Sequence, residues 1–201
     1  MLTLYLRSAV MIALVLGQGC ASYSSEHTKD YRRISFAAPE HYEVWLVDVL
    51  MEKSGERSWR QPGGTVKCCW RGPKGPAGPG AQADPFPEMV WVHWFSFAEQ
   101  RYYAHLITLP ENIESKMRNP GRVITNEDVR QVPRHNMTIG LAPGGQIVVW
   151  VQSQIGNEME VLRSQAELVD GDPSDFSSLT EAYLQKHSDY LEENGLQLDK
   201  W

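Results

Sequence analysis

The chain has 201 residues, with 25 Asp or Glu and 19 Lys or Arg side chains, and a formal net charge of −6 at neutral pH. A protein that binds nucleic acid shows a basic face, so this acidic balance argues against nucleic acid as a partner. The length is sufficient for one ordinary domain with its own apolar core.

The first 19 residues have the layout of a secretory signal, with Arg7, an apolar run over residues 8–16 and a small-residue exit. The apolar run is too short for a membrane-spanning helix, which needs roughly 20 residues. A buried N-terminal helix is the alternative, but the polar Gly17–Gly19 segment would end it abruptly. We therefore expect residues 1–19 to be removed, which leaves 182 of the 201 residues and, with the loss of Arg7, changes the net charge from −6 to −7.

Cys20 follows a small residue just after the apolar run, and this arrangement resembles the lipobox of bacterial lipoproteins. In those proteins the Cys thiol takes a diacylglycerol and the new amino terminus takes a further acyl chain. Several acyl chains anchor a protein stably, whereas one chain is marginal. The match is imperfect, because Gly17 occupies the usual Leu position and Leu16 lies one place earlier.

The predicted lipid on Cys20 is followed by a flexible tether, so that residues 20–36 form the anchor region. By resemblance to lipoprotein sorting, Ala21 rather than Asp after the Cys implies the outer membrane, on its periplasmic side. The alternative is ordinary cleavage near Ala21 and a soluble periplasmic protein.

Two further cysteines, Cys68 and Cys69, are adjacent in the sequence. Export would place them where disulfides persist. A bond between them would be a vicinal disulfide with a strained ring. The alternative is two reduced, buried thiols that act as small apolar side chains. A zinc site is not expected, because adjacent cysteines lack the gap of roughly two to four residues that lets both sulfurs reach one ion.

Short runs rich in aromatic and β-branched residues predict the strands. In chain order these runs cover residues 41–50, 65–70, 88–97, 101–109, 137–141, 146–151 and 157–169. A three-residue gap joins the third and fourth runs, and a Pro-Gly-Gly turn joins the fifth and sixth, so each pair is typical of a β-hairpin. The polar stretch 52–64 predicts a turn, and residues 122–135 are ambiguous.

Two helices complete the predicted fold. Pro110 opens a short helix over residues 111–118, with acidic residues early and basic residues late, as the helix dipole favours. A C-terminal amphipathic helix begins near Asp175, ends at Gly195 and covers the sheet. The predicted fold class is α+β, a mainly antiparallel sheet with these two helices, in a single domain over residues 37–201.

Exposed tips are the candidate partner-binding segments, because anchor residues on them can reach into a partner's cleft. Residues 71–87 contain three Gly-Pro-x triplets, too few for a collagen helix, and predict a mobile surface loop. The candidates are Arg71 and Lys74 in this loop and Gly144 and Gly145 in the second hairpin turn. For Arg71, a solvated loop charge is the alternative interpretation.

The side chains that could carry chemistry do not form a recognisable catalytic or metal site. If the first hairpin has a three-residue loop over 98–100, the numbers of two residues that face each other add up to 198. His93 then faces His105 at about 5 Å, and the pair could bind zinc or copper. No third ligand is evident, and a one-residue change of register separates the two rings. Ser96, Glu99 and His93 can be drawn as a triad, but residues three apart on a strand point to opposite faces. We expect no catalytic residue, no metal and no cofactor.

Aromatic residues occur on both faces of the strand over 88–97. Trp91 and Phe95 share one face and Trp94 lies on the other. A second aromatic face is either covered by a helix or serves as a partner surface, where Trp and Tyr anchors concentrate.

An ordered set of segments resembles a known family over roughly residues 40–155. The set comprises Cys68-Cys69-Trp70, Pro87, Trp94 to Glu99, Tyr102-Tyr103, Leu109-Pro110, Gly140 to Gly145 and Val148-Val149-Trp150. It resembles a bacterial lipoprotein family classed as a domain of unknown function. Some members are encoded beside type VI secretion effectors, among them phospholipase and metallopeptidase toxins.

This resemblance implies an immunity protein, which waits in the periplasm, binds a toxin and blocks it without catalysing a reaction. The implied partners are the cognate toxin and, through the lipid anchor, a membrane. An envelope-assembly or sensing lipoprotein is the first rival class, and a hydrolase with an unfamiliar site is the second.

Overall fold

The structure is a computed structural model that describes residues 32–67, 70 and 80–201. Several predictions fall outside the described residues, namely the signal, the lipid site Cys20 and most of the tether, the pair Cys68 and Cys69, and the loop residues Arg71 and Lys74.

Within the described ranges the chain forms thirteen strands and two α-helices. The strands are β1 Arg33–Ala37, β2 Val44–Lys53, β3 Arg57–Gln61, β4 Gly64–Val66, β5 Ala81–Gln82, β6 Met89–Ser96, β7 Arg101–Thr108, β8 Gly121–Ile124, β9 Val129–Val132, β10 Asn136–Ala142, β11 Gln146–Gln152, β12 Met159–Gln165 and β13 Glu167–Val169. The helices are α1 Ile113–Arg118 and α2 Ser177–Asn194, and single 3₁₀ turns occupy Pro143–Gly145 and Pro173–Phe176.

The strands form two main sheets. A five-stranded sheet has the order β12-β11-β10-β1-β5, and a six-stranded sheet has the path β13-β7-β6-β2-β3 with β4 also paired to β2. Strands β8 and β9 form a separate ribbon. Strand β1 runs parallel to β10, and every other named strand pair in the described chain is antiparallel.

The two sheets enclose one apolar core. On β6, Val92 and Trp94 point inward and are fully buried, and they belong to the same buried cluster as Ile139 and Val149 of the five-stranded sheet. Alternate residues of each strand therefore face the core, as in a β-sandwich. This alternation sends Trp91 to the outer side of β6.

Each sheet also carries apolar residues on its outer face. On the five-stranded sheet, the Trp150 ring lies 4.8 Å from Trp70, and Trp70 in turn lies 5.4 Å from the C-terminal Trp201. On the six-stranded sheet, Phe176 lies 5.0 Å from Phe95, and α2 packs onto the same region. No helix in the described part of the chain combines the length and the apolar character needed to cross a membrane.

The α+β fold class is confirmed, including the short middle helix and a C-terminal helix that ends at Gly195. The expectation of a single sheet is wrong. The predicted strand over 157–169 is two strands, β12 and β13, which belong to different sheets and carry the chain from one layer to the other. Sequence periodicity does not show this change, because both strands are half-exposed and the step between them is a single residue.

Three strands lie where none was predicted. Strand β1 begins at Arg33, inside the segment predicted as tether, and β3 lies inside the predicted turn at 52–64. Strand β5 lies inside the segment 71–87 predicted as a mobile loop, and it forms because it pairs with β1. Strand β3 is polar and mostly exposed, so it lacks the apolar alternation that marks a strand in a sequence. It forms because β2 offers it a hydrogen-bonding partner along the sheet edge.

Candidate functional site

The outer face of the six-stranded sheet is covered over only part of its area. Helix α2 and the preceding turn cover the part that contains Trp45, Phe95 and Tyr102. Beyond this covered part, Leu50 pairs with Trp91 across one ladder and Trp91 pairs with Leu106 across the next. We call these three residues, Leu50, Trp91 and Leu106, the outer patch.

The outer patch is apolar and open to solvent. Trp91 is 37% exposed and Leu106 is 48% exposed, although both lie in the middle of regular strands. Leu50 beside them is half-buried. Because three neighbouring strands hold these side chains, the patch is a fixed surface. Fixed apolar surfaces of this kind concentrate at interaction sites.

Charged side chains flank the outer patch. By the ladder register, Asp48 and Glu52 on β2 and Glu167 on β13 point to the same side of the sheet. On the described strands beside the patch, Arg60 is a cation on the same side, and its guanidinium lies 3.5 Å from the Asp48 carboxylate. Among these described strand residues, carboxylates outnumber cations.

His93 lies between the outer patch and the part of the face that α2 covers. Its ring is 5.7 Å from that of Tyr102, and its Nε2 atom is buried with no hydrogen-bond partner in the described residues. Burial lowers the pKa of His93, and the Asp48 carboxylate opposes this only in part. The lowered pKa favours the neutral form of the His93 ring, which lies beside the outer patch.

The predicted facing of His93 and His105 is wrong by one residue. His93 pairs with Ala104, and His105 pairs with Val92 on the opposite side of the sheet. The hairpin loop has four residues, 97–100, with Gln100 in the left-handed region at φ 52°, and this extra residue changes the register. No group of three or more metal-ligating side chains is present in the ranges that the structure describes.

Glu99 at the hairpin tip joins the two sheets. The Ser96 hydroxyl donates to it at 2.9 Å and the Tyr103 hydroxyl at 2.8 Å. The backbone N–H of Gly144, in the turn of the other sheet, donates to it at 3.1 Å. Burial, followed by the Glu99 hydrogen bond and charge, raises the pKa of Tyr103 far above its usual range. Ser96 and Glu99 thus meet as structural partners, without His93.

The turn that contains Gly144 and Gly145 is not the exposed tip that the sequence predicted. Pro143 and Gly145 are buried, and the carbonyl of Gly145 accepts a hydrogen bond from Ala166 at 2.8 Å. The Gly144 carbonyl accepts one from Gln165. The turn lies under the crossing between the two sheets, where local turn chemistry does not predict burial.

A second polar cluster connects α2 to the start of β2. The buried ring of His187 places Nε2 at 3.2 Å from the Glu43 carboxylate and Nδ1 at 3.2 Å from Nδ1 of His41. Lys186 also donates to Glu43, at 2.8 Å. We call these four residues the histidine clasp. The sequence carries no local signal for it, because His41 and His187 lie 146 positions apart.

The backbone and rings around His41 hold the clasp in place. His41 has a left-handed φ of 72°, its ring stacks on Tyr190 at 3.8 Å, and its carbonyl accepts from Tyr183 at 2.6 Å. Burial lowers the pKa of His41; the charges of His187 and Lys186 lower it further, and only Glu40 opposes them.

The carboxylate of the clasp stays ionised. Burial raises the pKa of Glu43, but the hydrogen bonds from Lys186 and His187 together outweigh burial and hold it below its usual value. Charge-assisted hydrogen bonds therefore attach α2 to the sheet.

These features define a class of protein, a β-sandwich capped by a C-terminal helix, with a solvent-exposed apolar patch among carboxylates. The chain belongs to the family described as Protein of unknown function (DUF2931), whose model matches residues 21–199. Comparison with curated proteins and with solved structures gave no match.

Proposed function

We propose that the chain is a periplasmic lipoprotein that binds and neutralises a type VI secretion toxin, acting by occlusion without catalysis. The lipid on Cys20 would hold it at the outer membrane. The resemblance seen in the sequence favours a phospholipase or metallopeptidase effector as the target. The alternative is an envelope-assembly or sensing lipoprotein, which would also act by binding.

The observation that carries this proposal is the exposure of Trp91 within the outer patch. Large aromatic side chains that remain exposed on a rigid scaffold are the usual anchors of protein interfaces. The β6 and β7 strands hold Trp91 and Leu106 in place before any partner arrives, so little conformational entropy is lost on binding. An inhibitor that must wait for a toxin benefits from such preorganisation.

The polar clusters of the molecule support the same conclusion. The hydroxyls of Ser96 and Tyr103 donate to Glu99, which also accepts from the Gly144 backbone N–H, so that each of these side chains has a structural role. In the histidine clasp, the Nδ1 atoms of His41 and His187 face each other and fasten α2.

The test is protection of cells from an effector encoded beside this gene. The effector is expressed in the periplasm with and without this protein, and survival and co-purification are measured. We expect protection at a one-to-one ratio, both by the wild type and by the Ser96→Ala and His105→Ala variants. Failure to protect against or to bind any neighbouring effector, combined with turnover of an envelope substrate, would favour an enzyme instead.

A further inference from the structure

We infer that the outer patch is the docking surface for the protein partner, and that it receives an apolar side chain flanked by Lys or Arg residues. This inference deepens the proposed function and rests on it where the partner is taken to be the toxin. It concerns a surface formed by described residues of the sheet, and its argument does not use the loop residues Arg71 and Lys74.

The apolar part of this recognition follows from the sheet register. Leu50, Trp91 and Leu106 lie side by side across β2, β6 and β7, so their side chains form one strip across the strands. The cover on this face contacts residues beyond the strip. Phe176, in the turn before α2, contacts Phe95 and Tyr102, and Tyr183 of α2 stacks on Phe97. An apolar side chain placed on the strip would exclude water from Trp91 and Leu106 together.

The charged part follows from the carboxylates around the strip. Glu52 lies beyond Leu50 on β2, and Glu167 lies on β13 beyond Ala104. The Asp48 carboxylate forms an ion pair with Arg60, and the nearby Lys53 forms one with Glu88 at 2.6 Å. Among the described residues beside the strip the excess charge is therefore negative, and a complementary partner presents basic groups at the margin.

The same charges argue against a second copy of this chain as the occupant. A symmetric dimer through the patch would bring Glu52 and Glu167 of one copy against the acidic face of the other. Like charges brought together at an interface oppose association.

The first experiment compares two exposed apolar residues. Trp91→Ala is expected to weaken binding to the neighbouring effector by roughly 30-fold or more, the effect of losing an interface anchor. Ile155→Ala, which removes an exposed apolar side chain away from the patch, is expected to leave the dissociation constant unchanged. Thermal unfolding measurements check that both variants are folded, so that a loss of affinity can be assigned to the changed surface. Wild-type affinity in a folded Trp91→Ala variant would overturn the inference.

The second experiment tests the charges. Glu52→Lys and Glu167→Lys are expected to slow association and to weaken its dependence on salt, because rim charges steer encounter. Glu127→Lys, an exposed acidic residue in the β8–β9 loop, is the matched control and should behave as the wild type. Equal effects of all three substitutions would contradict a specific acidic margin.

A third measurement needs no toxin. Two peptides of equal length, one with Trp flanked by Lys and one with Trp flanked by Glu, are titrated into the isotope-labelled protein. We expect only the Lys-flanked peptide to shift the resonances of Trp91 and Leu106. Equal shifts with both peptides, or a concentration-dependent dimer that Trp91→Ala abolishes, would overturn the inference.

The experiments separate failure of the inference from failure of the function. Protection retained by Trp91→Ala would leave the immunity function standing and remove the outer patch from it. Selective binding of the Lys-flanked peptide at Trp91, without protection against any neighbouring effector, would keep the surface and remove the immunity function.

Discussion

Glu99 satisfies three hydrogen-bond donors at once, and two of them, the hydroxyls of Ser96 and Tyr103, belong to buried residues. The third is the Gly144 amide of the opposing sheet. A carboxylate in this position does two things, because it satisfies polar groups that cannot reach water and it fixes the distance between the two sheets.

Glu99→Ala is expected to lower the free energy of unfolding by about 2–3 kcal/mol, since it leaves buried donors without an acceptor. Glu99→Gln retains one acceptor oxygen and is expected to cost less. Urea denaturation measures both, with the exposed Glu127→Ala as control. An unchanged midpoint in Glu99→Ala would show that water replaces the carboxylate without loss.

The histidine clasp predicts a pH dependence of stability. The pKa of His41 is lower in the folded protein than in the unfolded chain, so the unfolded chain binds the proton more readily. The stabilisation is complete above the ordinary His value of 6.5 and is lost as the pH falls through the folded pKa. The lowered pKa of Glu43 affects stability in the same direction. Its contribution to stability is present above the ordinary Glu value of 4.5 and is lost as the pH falls below that value.

We therefore expect the melting temperature to fall between pH 7.5 and pH 5, and to fall less in His41→Asn. Asn tolerates the left-handed φ of this position and does not titrate. Part of the dependence remains in the variant, because burial also lowers the pKa of His93. His105→Asn is the control. Identical pH slopes for His41→Asn and the wild type would exclude the clasp as the source.

Strand β10 shows how a strand accommodates two tryptophans. A Cβ atom on Gly140 would lie 2.6 Å from the Trp150 ring and 2.9 Å from the Trp70 ring, closer than such atoms approach. Glycine therefore lets both rings lie directly on the strand. The C-terminal Trp201 then packs against Trp70, and Arg163 donates to its carbonyl at 2.8 Å.

Gly140→Ala is expected to lower the free energy of unfolding by about 1–3 kcal/mol, because two buried rings must move. Near-ultraviolet circular dichroism should change with it, since the environment of Trp150 changes. The cost should be smaller in a Trp150→Phe background, where the ring is shorter, and a double-mutant cycle measures this coupling. Strict additivity of the two substitutions would contradict direct contact as the cause.

For the molecule as a whole, anchoring would depend on the segment before β1. If Cys20 carries acyl chains, the sandwich would be held near the membrane through the residues that lead to Arg33, where the first described strand begins. The net negative charge of the chain and the acidic margin of the outer patch have the same sign, and both favour a basic partner over an acidic one.

Cys20→Ser is expected to abolish acyl labelling and to release the protein into the soluble periplasmic fraction, because the lipid attachment site is lost. Fractionation and metabolic labelling with a fatty acid measure the two effects. A variant with Ala21 replaced, which keeps the thiol, is the control for labelling. Membrane association unchanged in Cys20→Ser would exclude the lipid as the anchor.

Local patterns in the amino-acid sequence were enough to predict the elements that consecutive residues specify. The alternation of apolar residues marked β6, β7, β10 and β11, and the stop at Gly195 marked the end of α2. The sequence also indicated that aromatic residues occupy both faces of β6, with Trp91 and Phe95 on one side. These properties depend on side chains two to four positions apart, so they can be predicted without the fold.

How those elements combine became visible in the folded chain. Folding divided the strands between two sheets, set the register that separates His93 from His105, and buried the turn at Gly144 and Gly145. It brought His41 to His187 across 146 positions. It also covered Phe95 with Phe176 of the turn before α2 and left Trp91 exposed, although Phe95 and Trp91 lie on one face. Each of these outcomes depends on packing between residues far apart in the chain, which local periodicity does not encode.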